Sequence, residues 1–155
     1  MKKRFTIITG SICLVALVVA ISSQFFPKKI KDVAGVEYRT DREPIENRFP
    51  DLPSFTECYW KADTIGSISF GPTNYWMQGF VSLDERGFQE VLSTYEWKPA
   101  SVAFPKGLDP SITGRNDFCW YSNGDFQTKI LKQNFVGSIF LDTTNGIIYF
   151  DVENN

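Results

Sequence analysis

With 155 residues, of which 43% are hydrophobic and 22% charged, the chain has the balance of a protein with one globular domain, and its 15% aromatic content supplies bulk to a small core. It has no histidine and only three cysteines, one of them inside an apolar N-terminal run. The usual zinc sets, which need about four His or Cys ligands, are therefore excluded, and so is a cysteine nucleophile activated by histidine.

Met1 to Arg4 carries three positive charges, and Phe5 to Phe26 follows as 22 residues without a charged side chain before Pro27-Lys28-Lys29. About 20 apolar residues cross the ~30 Å of bilayer hydrocarbon. Residues 1–27 thus read as an uncleaved anchor that meets the lipid bilayer through residues 5–26, with Phe25, Phe26 and the lysines at its interface. The alternative is a cleaved signal peptide, because Val18-x-Ala20 and Ala20-x-Ser22 offer small residues to a signal peptidase; the product would then be exported and soluble. Cys13 reads as a small hydrophobe facing lipid. Basic residues flank the run on both sides, so orientation rests on the short head, which stays cytoplasmic. The expectation is a single-pass membrane protein whose C-terminal domain is extracytoplasmic.

The six basic residues before residue 32 leave ten Lys and Arg against all 18 Asp and Glu, a formal charge of −8 on the exported part. Such a surface is repelled by phosphate backbones, which excludes nucleic acid as a partner and favours a cationic one. Residues 28–53 mix charges with Pro44, Pro50 and Pro53 and read as a flexible tether. Residues 54–155 are left for the domain.

Thr56 to Ala62 and Ser67 to Phe70 read as weaker strands. Asn74 to Leu83 alternates, with Tyr75, Met77, Gly79, Val81 and Leu83 on one face and Trp76, Gln78, Phe80 and Ser82 on the other. Bulk on both faces predicts a central strand. Ser82-x-x-Glu85 has capping-box spacing, and Phe88, Val91, Leu92 and Tyr95 follow with helical period, predicting a helix from about Asp84 to Tyr95. Pro99 and Pro105 keep the next stretch irregular. From Asp117 the pattern reads as a meander: Phe118 to Ser122, a turn at Asn123-Gly124, Phe126 to Gln133, Phe135 to Leu141, a turn over Asp142 to Gly146, and Ile147 to Val152. The fold class is α+β, an antiparallel sheet of five or six strands packed on one helix.

Cys58-Tyr59-Trp60 and Cys119-Trp120-Tyr121 place two cysteines 61 positions apart, each followed by large aromatics. With Cys13 assigned to the membrane, the pair Cys58 and Cys119 reads as a disulfide in an oxidising compartment, with buried free thiols as the alternative. Gly79-Phe-Val-Ser-Leu-Asp84 and Gly137-Ser-Ile-Phe-Leu-Asp142 share the pattern G-x-[VI]-x-L-D. A duplicated hairpin would produce this; the other reading is that each Asp caps the next turn or helix. Asp142 to Gly146 lacks the spacing of a calcium loop. Tyr75 and Trp76, entering a strand from Gly71-Pro72, are candidates for a rim that stacks on a sugar, a peptide or a partner protein, unless both fill the core.

The general form, a short basic head, one apolar segment and a small acidic domain, resembles small bacterial envelope proteins, which implies a location and nothing more. The expected function is a non-enzymatic binding domain for a protein or small ligand of the cell envelope, with no cofactor implied. Two alternatives remain: a toxin-neutralising immunity protein, since these are often small, acidic and tethered, and a hydrolase of wall glycans using paired carboxylates.

Overall fold

Alternation in the sequence becomes a single sheet. In the computed structural model, which describes residues 38–65, 74–104 and 109–154, β1 (Phe55–Ile65) pairs antiparallel with β2 (Asn74–Leu83) from Phe55↔Leu83 to Ile65↔Asn74. Four further strands follow in the chain: β3 (Lys98–Pro99), β4 (Trp120–Ser122), β5 (Phe135–Asp142) and β6 (Ile147–Asn154). All neighbours are antiparallel and the order is β1-β2-β6-β5-β4-β3. β2 is flanked on both sides, as its two bulky faces predict. The segment 1–27, the first part of the expected tether and the expected strand at Ser67 to Phe70 lie outside the described residues. Among the described residues no helix is long and apolar enough to cross a membrane.

Side chains alternate across a strand, so the sheet has two faces with different covers. Trp60, Met77, Val81, Ile139, Ile148 and Phe150 point to one face, where they pack with Ile45 and Phe49, Val91, and Phe126 and Ile130. Those come from α1 (Glu43–Arg48 with its C-cap Phe49), α2 (Glu85–Thr94) and α3 (Gly124–Leu131) respectively. The opposite face has a smaller aromatic cluster, in which Phe80 and Tyr149 are covered by Phe104, Ile112 and Phe118 from the long segment before β4 and by Trp120 at the start of β4. The fold is α+β with an antiparallel sheet of six strands, and three α-helices occupy one face where a single helix was expected.

Two helices correct the sequence reading. Asn123-Gly124 is not a hairpin turn: Asn123 is the N-cap of α3, and its side chain accepts a 2.8 Å hydrogen bond from the Phe126 amide. Phe126 and Ile130, four residues apart, then bury on one helical face where a strand had been expected. The second correction is α1, inside the segment read as a tether. Ile45 and Phe49 are 0% and 2% exposed, so the chain has joined the core well before residue 54. Basic residues near α1 cover aromatic faces: the guanidiniums of Arg39 and Arg42 lie 4.0 and 4.3 Å from the ring centres of Trp60 and Phe55. Each such contact stabilises by roughly 0.5 to 1 kcal/mol.

The helix expected from about Asp84 to Tyr95 is α2, but its cap differs. Asp84, not Ser82, is the N-cap; its carboxylate accepts 2.7 Å bonds from the Gly87 amide and the Ser54 hydroxyl. These bonds hold the Asp84 carboxyl below its ordinary range. Asp142 caps the β5–β6 turn, so both aspartates of the repeated pattern are caps. Gly79 lies in the second strand of its hairpin and Gly137 in the first strand of another, which does not fit a duplicated unit. Their shared role is close backbone approach. A Cβ would fall 2.3 Å from the Tyr59 carbonyl oxygen at Gly79 and 2.2 Å from the Asp151 carbonyl oxygen at Gly137.

Candidate functional site

Tyr75 and Trp76 are adjacent on β2, and alternation sends them to opposite faces. Tyr75 faces the helices: its ring meets Phe135 edge-on at 6.1 Å, and its hydroxyl accepts a 3.1 Å bond from Arg48 Nε. Trp76 faces the other way and belongs to neither apolar cluster. Its cross-strand neighbours are Asp63 on β1 and Glu153 on β6. The two rings therefore form no joint patch, and Trp76 alone remains at a surface, between two acids.

That surface continues into a groove. On the face opposite the helices, β5 contributes Val136, Ser138 and Phe140 and β6 contributes Tyr149, Asp151 and Glu153, while Val102 and Ala103 form the opposing wall of a cavity of about 370 Å³. This is within the roughly 300 to 1,000 Å³ typical of small-ligand sites. Phe140 and Tyr149 stack at 6.0 Å with 10° between their planes and close one end. At the other end Val136, 46% exposed, and the exposed Glu153 make an open mouth beside Trp76. Among the described residues the lining holds two carboxylates and no cation. Tyr149 is 1% exposed, and among the described residues its hydroxyl makes one hydrogen bond, a long 3.5 Å contact to Asp151 Oδ2. Burial and, secondarily, the Asp151 charge push the Tyr149 phenol up from its usual value, so it stays a neutral hydroxyl.

The cysteines stand apart from this groove. Cys58 is buried and Cys119 exposed, and both thiols are free. The register rows Cys58↔Val81, Val81↔Ile148, Ile148↔Leu141 and Leu141↔Tyr121 put three strands between β1 and the β4 end where Cys119 lies. At about 4.8 Å per strand this is roughly 19 Å, against a Cα separation of about 4.4 to 6.8 Å in a disulfide. The expected Cys58–Cys119 bridge is thus not formed, because the sheet holds Cys58 on β1 far from Cys119 at the entry to β4. Cys58 instead donates weakly to the Thr40 and Asp41 carbonyls at 3.6 Å.

Burial pushes the Cys58 thiol from 9.0 up to about 11. The folded state thus holds this proton more tightly than the unfolded chain does. The stability it contributes is fully present below about pH 9 and lost as pH rises through about 11. Urea unfolding should give a constant free energy from pH 7 to 8.5 and a decline toward pH 11. Cys58→Ala should flatten part of that decline, and an unchanged slope in the variant would remove Cys58 as its source. Alkylation at neutral pH should modify Cys119 and spare Cys58.

The sequence pointed to Trp76 through its turn and its bulk, but gave no sign of the groove, whose lining comes from residues some 50 positions apart. Among the described residues no three acids or cysteines gather as a metal site requires. The architecture defines a small antiparallel α+β domain with helices on one sheet face and an acidic, aromatic groove on the other. No known protein family, curated protein or solved structure matches the chain.

Proposed function

We propose that this is a membrane-anchored, non-catalytic protein of the bacterial envelope whose acidic domain binds a cationic partner on the sheet face opposite its helices. The observation that carries the reading is the groove itself: concave, floored by aromatic rings and lined by Asp151 and Glu153 with no compensating cation among the described residues. The −8 charge of the chain after residue 31 favours the same sign of partner. The apolar run 5–26, edged by basic residues on both sides, supports the anchor. A carboxylate-based hydrolase fits less well: the general acid of such an enzyme sits in an apolar pocket, whereas Glu153 is open to solvent.

A photo-crosslinking residue in place of Trp76, in the full chain in native membranes, tests this. One discrete envelope protein should be captured, and capture should fall as salt rises to ~0.5 M, because surface attraction is screened within a Debye length. A crosslinker at exposed Glu90 on α2 should capture nothing comparable. Equal capture from both positions, or none from position 76, would remove the groove face as the binding surface.

A further inference from the structure

We propose that the groove between Val102-Ala103 and strands β5 and β6 is a site for an alkylammonium group, held by Asp151, Tyr149 and Ser138. This deepens, and rests on, the reading of the domain as a binder of cationic partners, by naming the chemistry recognised.

The Tyr149 hydroxyl is poorly satisfied. A buried tyrosine hydroxyl normally has a good partner, yet that of Tyr149 has only the 3.5 Å contact to Asp151, beyond the usual 2.5 to 3.0 Å for such bonds. Among the described residues the Asp151 side chain has no other partner, and the side chains of Ser138, directly across the ladder from it, and of Glu153 have none. Three acceptor groups thus converge on one cavity with no donor to share between them except two hydroxyl hydrogens. An ammonium supplies three N–H donors and no acceptor, which complements this set. It would donate to the Asp151 carboxylate, to the Ser138 oxygen and to the free lone pair of the Tyr149 hydroxyl while that hydroxyl donates to Asp151.

Shape and field favour the same guest. The Phe140 and Tyr149 rings form an apolar, π-rich end against which an aliphatic stem and its cation are stabilised. Glu153 at the mouth attracts positive charge, while Val136 beside it covers methylenes. The nearest basic side chain on this row, Lys61, is two strands away from Asp151 beyond Gln78, and its ammonium lies 5.6 Å from the Tyr38 ring. An anion would meet two carboxylates, and a neutral apolar guest would strand three acceptors.

The probe is N-acetyl-lysine N-methylamide, titrated into the full chain in neutral detergent micelles and followed by amide shifts. Shifts should concentrate at residues 136–140 and 149–153, and the norleucine analogue, which has the stem without the charge, should produce none. Asp151→Asn, which keeps the shape, should weaken binding about tenfold or more, as expected for loss of a charge-assisted bond of roughly 1.5 to 3 kcal/mol. Tyr149→Phe should weaken it several-fold without lowering the melting temperature, because the hydroxyl it removes is poorly bonded. Spermidine and a short lysine peptide separate the sources. Tighter binding by the peptide assigns the site to a partner's lysine, and tighter binding by spermidine assigns it to a free polyamine. No shift at these amides, or equal binding of the norleucine analogue, overturns the site, and so does an Asp151→Asn variant that binds like wild type. If that variant is still captured by its partner through position 76, binding on this face survives and only the ammonium site falls.

Discussion

Replacing Asp142 with alanine is expected to destabilise the domain by about 3 to 5 kcal/mol, since it takes the acceptor from three part-buried donors at once, each loss costing about 1 to 3 kcal/mol. Asp142 is 0% exposed. Its Oδ1 accepts from the Cys119 and Thr144 amides, both at 3.0 Å, and its Oδ2 accepts from the Asn145 side-chain amide at 2.6 Å. Asn145 in turn donates to the Asp117 carbonyl at 2.8 Å. One carboxylate thus ties the β5–β6 turn to the chain entering β4. Few other bonds could do so, because β4 is only three residues long and pairs with β5 at two positions. Against a typical total of about 5 to 15 kcal/mol the loss is severe, and the melting temperature should fall on the order of 10 to 20 °C. Asp142→Asn keeps an acceptor oxygen but turns an amide toward Asn145, so it should fall between alanine and wild type. Thermal melts of the two variants decide the matter. An alanine variant melting within ~2 °C of wild type would mean that the turn and β4 are held by other contacts.

How much of this was legible beforehand depends on whether a contact is local. β2 and α2 could be read because period two and period 3.6 are written in consecutive residues, as Tyr75 to Leu83 and Phe88 to Tyr95 show. The β5–β6 hairpin was legible for the same reason, with turn residues between two apolar runs. The error at α3 was one of competing signals. Asn-Gly between apolar runs suits a hairpin, but Asn123 equally suits a helix N-cap, and the four-residue spacing of Phe126 and Ile130 marks a helix. For the cysteines, parity and compartment suggested a bridge, and only sheet order separates Cys58 from Cys119.

The groove was illegible for a further reason. Tyr149, Asp151 and Glu153 occupy alternate positions of a strand whose intervening residues, Phe150 and Val152, are core. From sequence alone that strand is simply buried, and its acids read as solvated ends. Their meaning depends on what covers that face. Val102, Phe104 and Trp120 reach across only part of the sheet, so the aromatic half is roofed and the acidic half is left open. The Tyr75-Trp76 pair shows how one rule, applied to its end, sharpens a site: alternation already separates neighbours on a strand, leaving Trp76 as the surface residue and Tyr75 at the core margin.

The N-terminal flank of the domain can be tested sharply, because a tether and a core element respond oppositely to truncation. If residues 38–53 were a tether, changing Ile45 or Phe49 to alanine would alter stability by no more than about 0.5 kcal/mol. The structure instead buries both, with the Phe49 ring 5.2 Å from that of Phe135 and 5.6 Å from that of Phe150. Ile45→Ala is therefore expected to cost about 2 to 5 kcal/mol and Phe49→Ala about 3 to 5, with the double variant less than additive because the two side chains share one cluster. Asn47→Ala, on the exposed side of the same short helix, should stay within about 0.5 kcal/mol and controls for helix propensity. Pro44 at the start of α1 and the four-residue spacing from Ile45 to Phe49 are the local signals of this helix, but six residues cannot hold it without the core. Urea unfolding of the four variants gives the answer directly. Losses below 1 kcal/mol for both Ile45→Ala and Phe49→Ala would return this segment to the tether and begin the domain at residue 54.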